Sequence, residues 1–185
     1  MRGSNGPYPR SEWQDAHRRR IRRSRPGIGR PRWTEFRMQV QTTRFGTVEV
    51  AADRILDFSS GLLGFASYRR FVLLQPDEEG VFYWLQSIDA PELAFVVTDP
   101  RLWSEEYQAV VRQDQLDAMG MRTMAEAQLF VIVNKYDNTL TANFQGPLVV
   151  NLANQQGMQL VLADRQWTTR HEIARLADGQ RAATA

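Results

Sequence analysis

From Met38 onward the chain alternates short runs of β-branched and aromatic residues with turn residues at intervals of about eight to twelve positions, the texture of a sandwich or barrel. The runs predict strands over Gln39–Arg44, Thr47–Val50, Arg54–Phe58, Tyr68–Gln75, Val81–Ser87 and Leu93–Thr98. Further strands are expected over Gln128–Tyr136, Thr139–Phe144, Leu148–Asn151, Met158–Ala163 and Thr168–Ile173. Pro76-Asp77-Glu78-Glu79-Gly80 is a turn that joins two of these as a hairpin. In Val81–Leu85 both alternating faces are apolar, with Val81, Tyr83 and Leu85 on one and Phe82 and Trp84 on the other. A strand covered on both faces belongs to a closed or double-layered sheet, and Leu129–Val133 reads the same way. Helical signals are few. Gln113–Met119 precedes Gly120, a C-terminal cap, and Thr123–Gln128 fits one more turn. Trp103, Tyr107, Val110 and Val111 have helical spacing, while Tyr107–Arg112 fits a strand equally well. The pattern predicts a mainly β fold: a small closed or semi-closed antiparallel β-barrel with one or two short helices.

The first 37 residues have a different texture. They lack apolar periodicity, hold several glycines and prolines, and contain the run His17-Arg18-Arg19-Arg20-Ile21-Arg22-Arg23-Ser24-Arg25. Such a segment buries too little apolar surface to offset its ordering entropy. The expected organisation is therefore a disordered Arg-rich extension over 1–37, a folded body over 38–175 and a flexible tail over 176–185. Charge follows the same division. Residues 1–37 carry eleven arginines against three acids, a net +8, whereas residues 38–185 carry eleven arginines and Lys135 against eighteen acids, a net −6. The overall +2 hides this asymmetry. An acidic body repels phosphate backbones and favours basic partners.

Composition excludes much chemistry. There is no cysteine, so disulfides, thiol nucleophiles and cysteine metal sites are out. The two histidines, His17 and His171, stand at opposite ends of the chain, a poor start for a metal site. Ser59-Ser60-Gly61 has no neighbouring histidine, and Gly61-Leu62-Leu63-Gly64-Phe65 lacks the spacing and lysine of a phosphate loop. Asp77-Glu78-Glu79 reads as a solvated turn tip or a charged docking patch. No cofactor, metal or catalytic residue is expected, no run is long and apolar enough for a spanning helix, and the Arg-rich start lacks the apolar core of a signal peptide. The protein is read as a cytoplasmic non-enzyme.

The most distinctive stretch is Trp84-Leu85-Gln86-Ser87-Ile88-Asp89-Ala90-Pro91-Glu92-Leu93-Ala94-Phe95-Val96-Val97-Thr98-Asp99-Pro100. It resembles a segment of the flagellar assembly factor FliW family. Three further pieces agree in order: MQVQTTRFG over 38–46, FSSGLLGF over 58–65 and TANFQGPLVVN over 141–151. MQLVL over 158–162 is similar to the family's closing strand. Leu63, Ala142 and Phe144 depart from the family pattern. The resemblance covers about 38–173. It implies a small β protein without enzymatic activity that binds newly made flagellin. It also implies binding to the RNA-binding translational regulator CsrA, which it stops from repressing flagellin translation. The acidic body agrees with a basic regulator, since complementary charge sets encounter rate and partner choice. The alternative is a nucleic-acid-binding β-barrel that uses its Arg-rich arm; the acidic body itself is not expected to bind nucleic acid directly.

Within these motifs the expected partner-binding residues are Gln86, Ser87, Asp89, Asn143, Gly146, Pro147 and Asn151. Gln86 and Ser87 are polar at the end of an apolar strand, where they either satisfy the backbone of the Asp89–Pro91 turn or face a partner. Asp89 and Asp99 precede turn prolines, and aspartate stabilises such turns through its side-chain acceptor. Asn143 and Asn151 bracket Gly146-Pro147, which is forced out of the sheet and is expected to form a displayed loop. Trp84 and Phe95 are expected in the core or on its rim.

Overall fold

A computed structural model describes residues 37–77 and 80–176. The expected disordered extension (apart from Arg37), the acidic pair Glu78-Glu79 and the expected C-terminal tail (apart from Leu176) lie outside the described residues.

The described chain contains eleven strands: β1 (Arg37–Thr42), β2 (Gly46–Ala51), β3 (Ile55–Phe58), β4 (Arg70–Leu74), β5 (Phe82–Ser87), β6 (Ala94–Thr98), β7 (Ala127–Tyr136), β8 (Thr139–Ala142), β9 (Leu148–Asn151), β10 (Gln156–Gln159) and β11 (His171–Arg175). One α-helix, α1 (Gln113–Ala118), and three single 3-10 turns complete it. Every predicted strand has an observed counterpart: Leu148–Asn151 keeps its bounds, the others have shifted ends, and Met158–Ala163 overlaps β10 only at Met158 and Gln159. Tyr107–Arg112, which fitted helix or strand, adopts neither.

Strands β7, β6, β5, β4, β3, β10 and β9 pair in that order, and β9 returns to β7, so seven strands close a barrel. All seams are antiparallel except one. β10 runs parallel to β3 over Gln156↔Asp57 and Gly157↔Phe58, which corrects the all-antiparallel expectation. At this seam Gly157 lies against the Phe58 ring, and a Cβ there would stand 2.7 Å from it. Glycine is the residue that lets the two strands approach. Strand β7 is long because it serves two partners on one edge. Ala127–Phe130 pairs with β9 and Val133–Tyr136 with β8, which carries β11 outside the barrel.

The barrel interior is Leu56, Phe58, Leu62, Phe71, Leu85, Val97, Phe130, Leu148 and Val150, all buried. Two outer layers explain why single strands are apolar on both faces. The β1–β2 hairpin lays Val40 and Val50 on Val72 of β4. On the other side, Tyr107, Leu116, Met119, Met121, Leu160, Leu162 and Trp167 cover Leu129, Val131 and Val133 of β7 and Val149 of β9. Alternation along β7 therefore sends Phe130 inward and Leu129 and Val131 outward, each into apolar packing.

Candidate functional site

The register gathers the distinctive motifs at one rim of the barrel. β3 leaves at Phe58 and β4 enters at Arg70; β5 leaves at Ser87, opposite Phe71, and β6 enters at Ala94, opposite Gln86. β10, parallel to β3, leaves at Gln159, opposite Leu148 where β9 enters. The 59–69 loop, the 88–93 turn, residues 143–147 and Gln159 thus share that rim. The turn between β1 and β2 joins them, since Thr43 N–H donates to Pro91 O at 3.0 Å and Arg44 reaches Glu92 O at 3.5 Å.

The β5–β6 turn is held from inside. Gln86 is fully buried, and its amide Nε2 lies within hydrogen-bonding distance of the carbonyls of Ser87 (2.9 Å), Ala90 (3.3 Å), Pro91 (3.2 Å) and Leu93 (3.1 Å). The carbonyls of Ala90, Pro91 and Leu93 also accept from the N–H groups of Leu93, Thr43 and Ser87, so the two amide hydrogens of Gln86 add to a turn whose carbonyls face inward, at the expense of its own Oε1, which has no partner. Ser87, also buried, accepts at Oγ from the N–H groups of Asp89 (3.2 Å) and Ala90 (3.1 Å), a side-chain turn of the serine type. Of the two open readings of Gln86 and Ser87, this geometry is that of turn satisfaction. Asp89 is exposed at the turn tip and pairs with Arg70.

Residues 143–147 do leave the sheet. β8 ends opposite Val133 and β9 begins opposite Phe130; Asn143 N–H still donates to Ile132 O at 2.9 Å, and the chain then bulges out before rejoining β7 at Phe130. It is covered rather than displayed, which corrects the expected loop. Leu160 N–H donates to Pro147 O (2.9 Å), Leu162 N–H to Gln145 O (2.8 Å) and Phe144 N–H to Thr168 O (3.0 Å). Gly146 and Pro147 are buried, and Asn143, half-buried, accepts from Gly146 N–H at 2.8 Å. A Cβ on Gly146 would stand 2.6 Å from the Asn143 amide. The sequence shows that a Gly-Pro pair must exit the ladder; that a later segment returns to cover it is a long-range fact. Asn151 is buried as well. It donates to Met119 O at 2.9 Å and accepts from Ala153 N–H at 2.9 Å, tying the end of α1 to the β9–β10 turn.

Several rim residues escape the sequence reading. Gln159 accepts from Leu63 N–H at 2.8 Å and donates to Gly146 O at 3.3 Å, joining two motifs far apart in the chain. Its signal is a glutamine inside an apolar closing strand. Phe65 packs edge-on against Phe95 at 5.0 Å, while Leu63 beside it is 61% exposed. Trp84, expected in the core or on its rim, is half-buried at the rim, edge-on to Phe45 at 5.8 Å and under the Arg44 guanidinium at 4.7 Å. The rim therefore offers apolar Leu63 and Phe65 among the charges of Arg44, Arg70, Asp89 and Glu92.

Displaced pKa values point to structure. Burial pushes the Tyr107 hydroxyl far up, and it donates to Phe144 O at 2.9 Å. Burial, with the Asp99 charge behind it, raises Tyr83. The hydrogen bond to Asp99 raises Arg101. Each moves away from neutrality, opposite to a poised acid or base. Among the described residues no three potential metal ligands converge, and no helix is long and apolar enough to cross a membrane.

Comparison with known proteins gives one family. The family model "FliW protein" matches residues 39–173. The flagellar assembly factor FliW of Bdellovibrio bacteriovorus is 38% identical over 138 residues, 74% of this chain and 79% of that protein. The flagellar assembly factor FliW of Leptospira interrogans is 36% identical over 139 residues, 74% of this chain and 93% of that protein. A crystal structure of the flagellar assembly factor FliW superposes with a TM-score of 0.68 at 28% identity, covering 74% of this chain and 97% of that one.

Proposed function

The chain belongs to the FliW family, and from that premise we propose that it is a cytoplasmic flagellar assembly factor acting by protein contact rather than catalysis. In this reading it binds flagellin and a CsrA-type translational regulator, and its hold on the regulator relieves repression of flagellin translation. Membership over residues 39–173 is the observation that carries the reading. The acidic body supports it, because a net −6 over 38–185 suits a basic RNA-binding regulator.

The motif-bearing rim is the proposed partner surface. Asp89, exposed at its tip, makes direct contact, with exposed Leu63 and Phe65 as apolar neighbours. Gln86, Ser87, Asn143, Gly146, Pro147 and Asn151 act from behind by fixing the backbone that presents these groups. Small apolar clusters within a polar rim are common anchors of protein interfaces. The test is direct titration of the full chain with purified flagellin and with the regulator from the same cell. Stoichiometric complexes with both are expected. Binding to RNA with neither protein bound would replace this reading by that of a nucleic-acid-binding barrel.

A further inference from the structure

Beyond β10 the chain continues as the extended segment Leu160–Asp164, which has one edge in use and the other open. Leu160 and Leu162 donate to Pro147 and Gln145, and their side chains are buried in the outer layer. In an extended strand the intervening backbone groups face the opposite edge. There, among the described residues, the N–H groups of Val161 and Ala163 have no hydrogen-bond partner. Across a groove of about 320 Å³ runs Gln108–Arg112, where the N–H groups of Ala109, Val110 and Val111 are also unpartnered. Val110 and Val161 both line this groove and are 79% and 70% exposed, the two most exposed large apolar side chains among the described residues.

Exposed strand edges are normally blunted by lysine, proline, a bulge or an inward charge. Here Val161 and Ala163 leave the edge plain. The charges at the groove are unequal: Arg112 is already paired with Asp114, whereas the Asp164 carboxylate accepts only from Gln166 N–H at 3.0 Å and has no cation. We infer that this groove takes an extended peptide of a partner protein as an added strand along Val161–Ala163. Its alternating apolar side chains rest on Val110 and Val161, and a basic side chain meets Asp164. The open backbone edge selects an extended peptide, since main-chain hydrogen bonds supply affinity in strand addition while side-chain positions supply specificity. The free carboxylate selects a basic residue. A second copy of the chain is disfavoured because it brings two acidic bodies edge to edge. The groove shares no lining residue with the motif-bearing rim, so the inference stands apart from the flagellin and regulator reading.

The probe is a short blocked peptide alternating threonine and valine and closed by lysine, added to the isotope-labelled full chain. The readout is amide exchange at Val161 and Ala163. Peptide is expected to slow exchange at both amides by about tenfold or more. N-methylation of the peptide at alternate amides abolishes the effect in one register and spares it in the other, and closing the peptide with glutamate weakens binding at least about threefold. Val161→Pro removes one unbonded N–H and is expected to weaken binding about tenfold with an unchanged thermal midpoint; Val110→Lys, on the facing wall, gives the same loss should the proline variant melt early. The inference is overturned if millimolar peptide leaves both amides unaffected, or if both N-methylated peptides bind equally. It is also overturned if the amides are already slow in the peptide-free chain, which places the chain's own segment in the groove. Slowing with protein concentration alone places a second copy there and overturns it likewise.

Discussion

Replacing Gln86 by alanine strips a buried turn of the amide that faces four of its carbonyls. The carbonyls of Ala90, Pro91 and Leu93 keep their backbone donors, the N–H groups of Leu93, Thr43 and Ser87, so the loss is that of the amide's own hydrogen bonds and of its buried volume, and Gln86→Ala is expected to lower stability by about 1–3 kcal/mol. Asn151→Ala leaves Ala153 N–H without its acceptor and Met119 O with only Asn154, and a loss of about 1–3 kcal/mol follows. Both residues are expected to change the melting midpoint before they change partner affinity; a normal midpoint with lost affinity for flagellin would place them in the interface instead. Trp84→Ala is milder than truncation of a fully buried aromatic. Its ring is half-exposed, so the expected cost is about 2 kcal/mol rather than the roughly 3–5 kcal/mol of a fully buried aromatic. Tyr107 predicts a pH effect. Its hydroxyl is raised above the unfolded value of 10.0 by burial, so the neutral form favours the fold. Below pH 10 both states keep the proton and nothing changes; above it the unfolded chain ionises first and stability falls. Tyr107→Phe should lose about 1 kcal/mol at neutral pH with the hydrogen bond to Phe144. It should also flatten part of the alkaline decline, and an unchanged slope in denaturant titrations above pH 10 would contradict the assignment.

At the level of elements, the parallel seam between β3 and β10 is the narrowest closure of the barrel, with paired residues only at Gln156–Asp57 and Gly157–Phe58. Gly157→Ala drives a Cβ into the Phe58 ring, and overpacking of this kind costs about 1–3 kcal/mol. Amide exchange should quicken in β10 and β3 ahead of β5 and β6; uniform exchange across the barrel would show that the seam tolerates the methyl. The strands themselves are legible in the sequence because the runs are bounded by turn residues, and double-sided apolarity in Val81–Leu85 correctly indicates a covered barrel wall. The seam is not legible, since its partners are joined by nothing in the local pattern. The cover over Gly146-Pro147 is hidden for the same reason: proline dictates departure from the ladder, but Leu160 and Leu162 arrive from later in the chain. Likewise Tyr107–Arg112 has an apolar pattern without strand or helix, because among the described residues the N–H groups of Ala109, Val110 and Val111 meet no backbone partner and the segment is held through Tyr107, which bonds to Phe144 O and packs against Trp167 at 4.8 Å. Of the seven expected site residues only Asp89 stands at the exposed tip. The motif pattern finds the rim, but it does not separate groups that face out from those that hold the rim together.

For the whole molecule, the division of charge between a +8 start and a −6 remainder decides what kind of partner the folded part attracts. Contacts between an acidic body and a basic regulator weaken as the Debye length shrinks from about 10 Å at 0.1 M salt to about 3 Å at 1 M. The dissociation constant for the regulator is therefore expected to rise steeply over that range, chiefly through a slower association rate. A flat response would assign the affinity to apolar rim residues such as Leu63 and Phe65. Since both proposed partners are assigned to one rim, the central proposal is that flagellin and the regulator compete for it, so that the barrel couples flagellin level to translation. The measurement that tests it most directly is reconstituted translation of a flagellin message repressed by the CsrA-type regulator, with the full chain added and flagellin then titrated in. The account predicts that the chain restores translation and that excess flagellin returns repression. Repression left untouched by the chain, at concentrations where it binds the regulator, would contradict it.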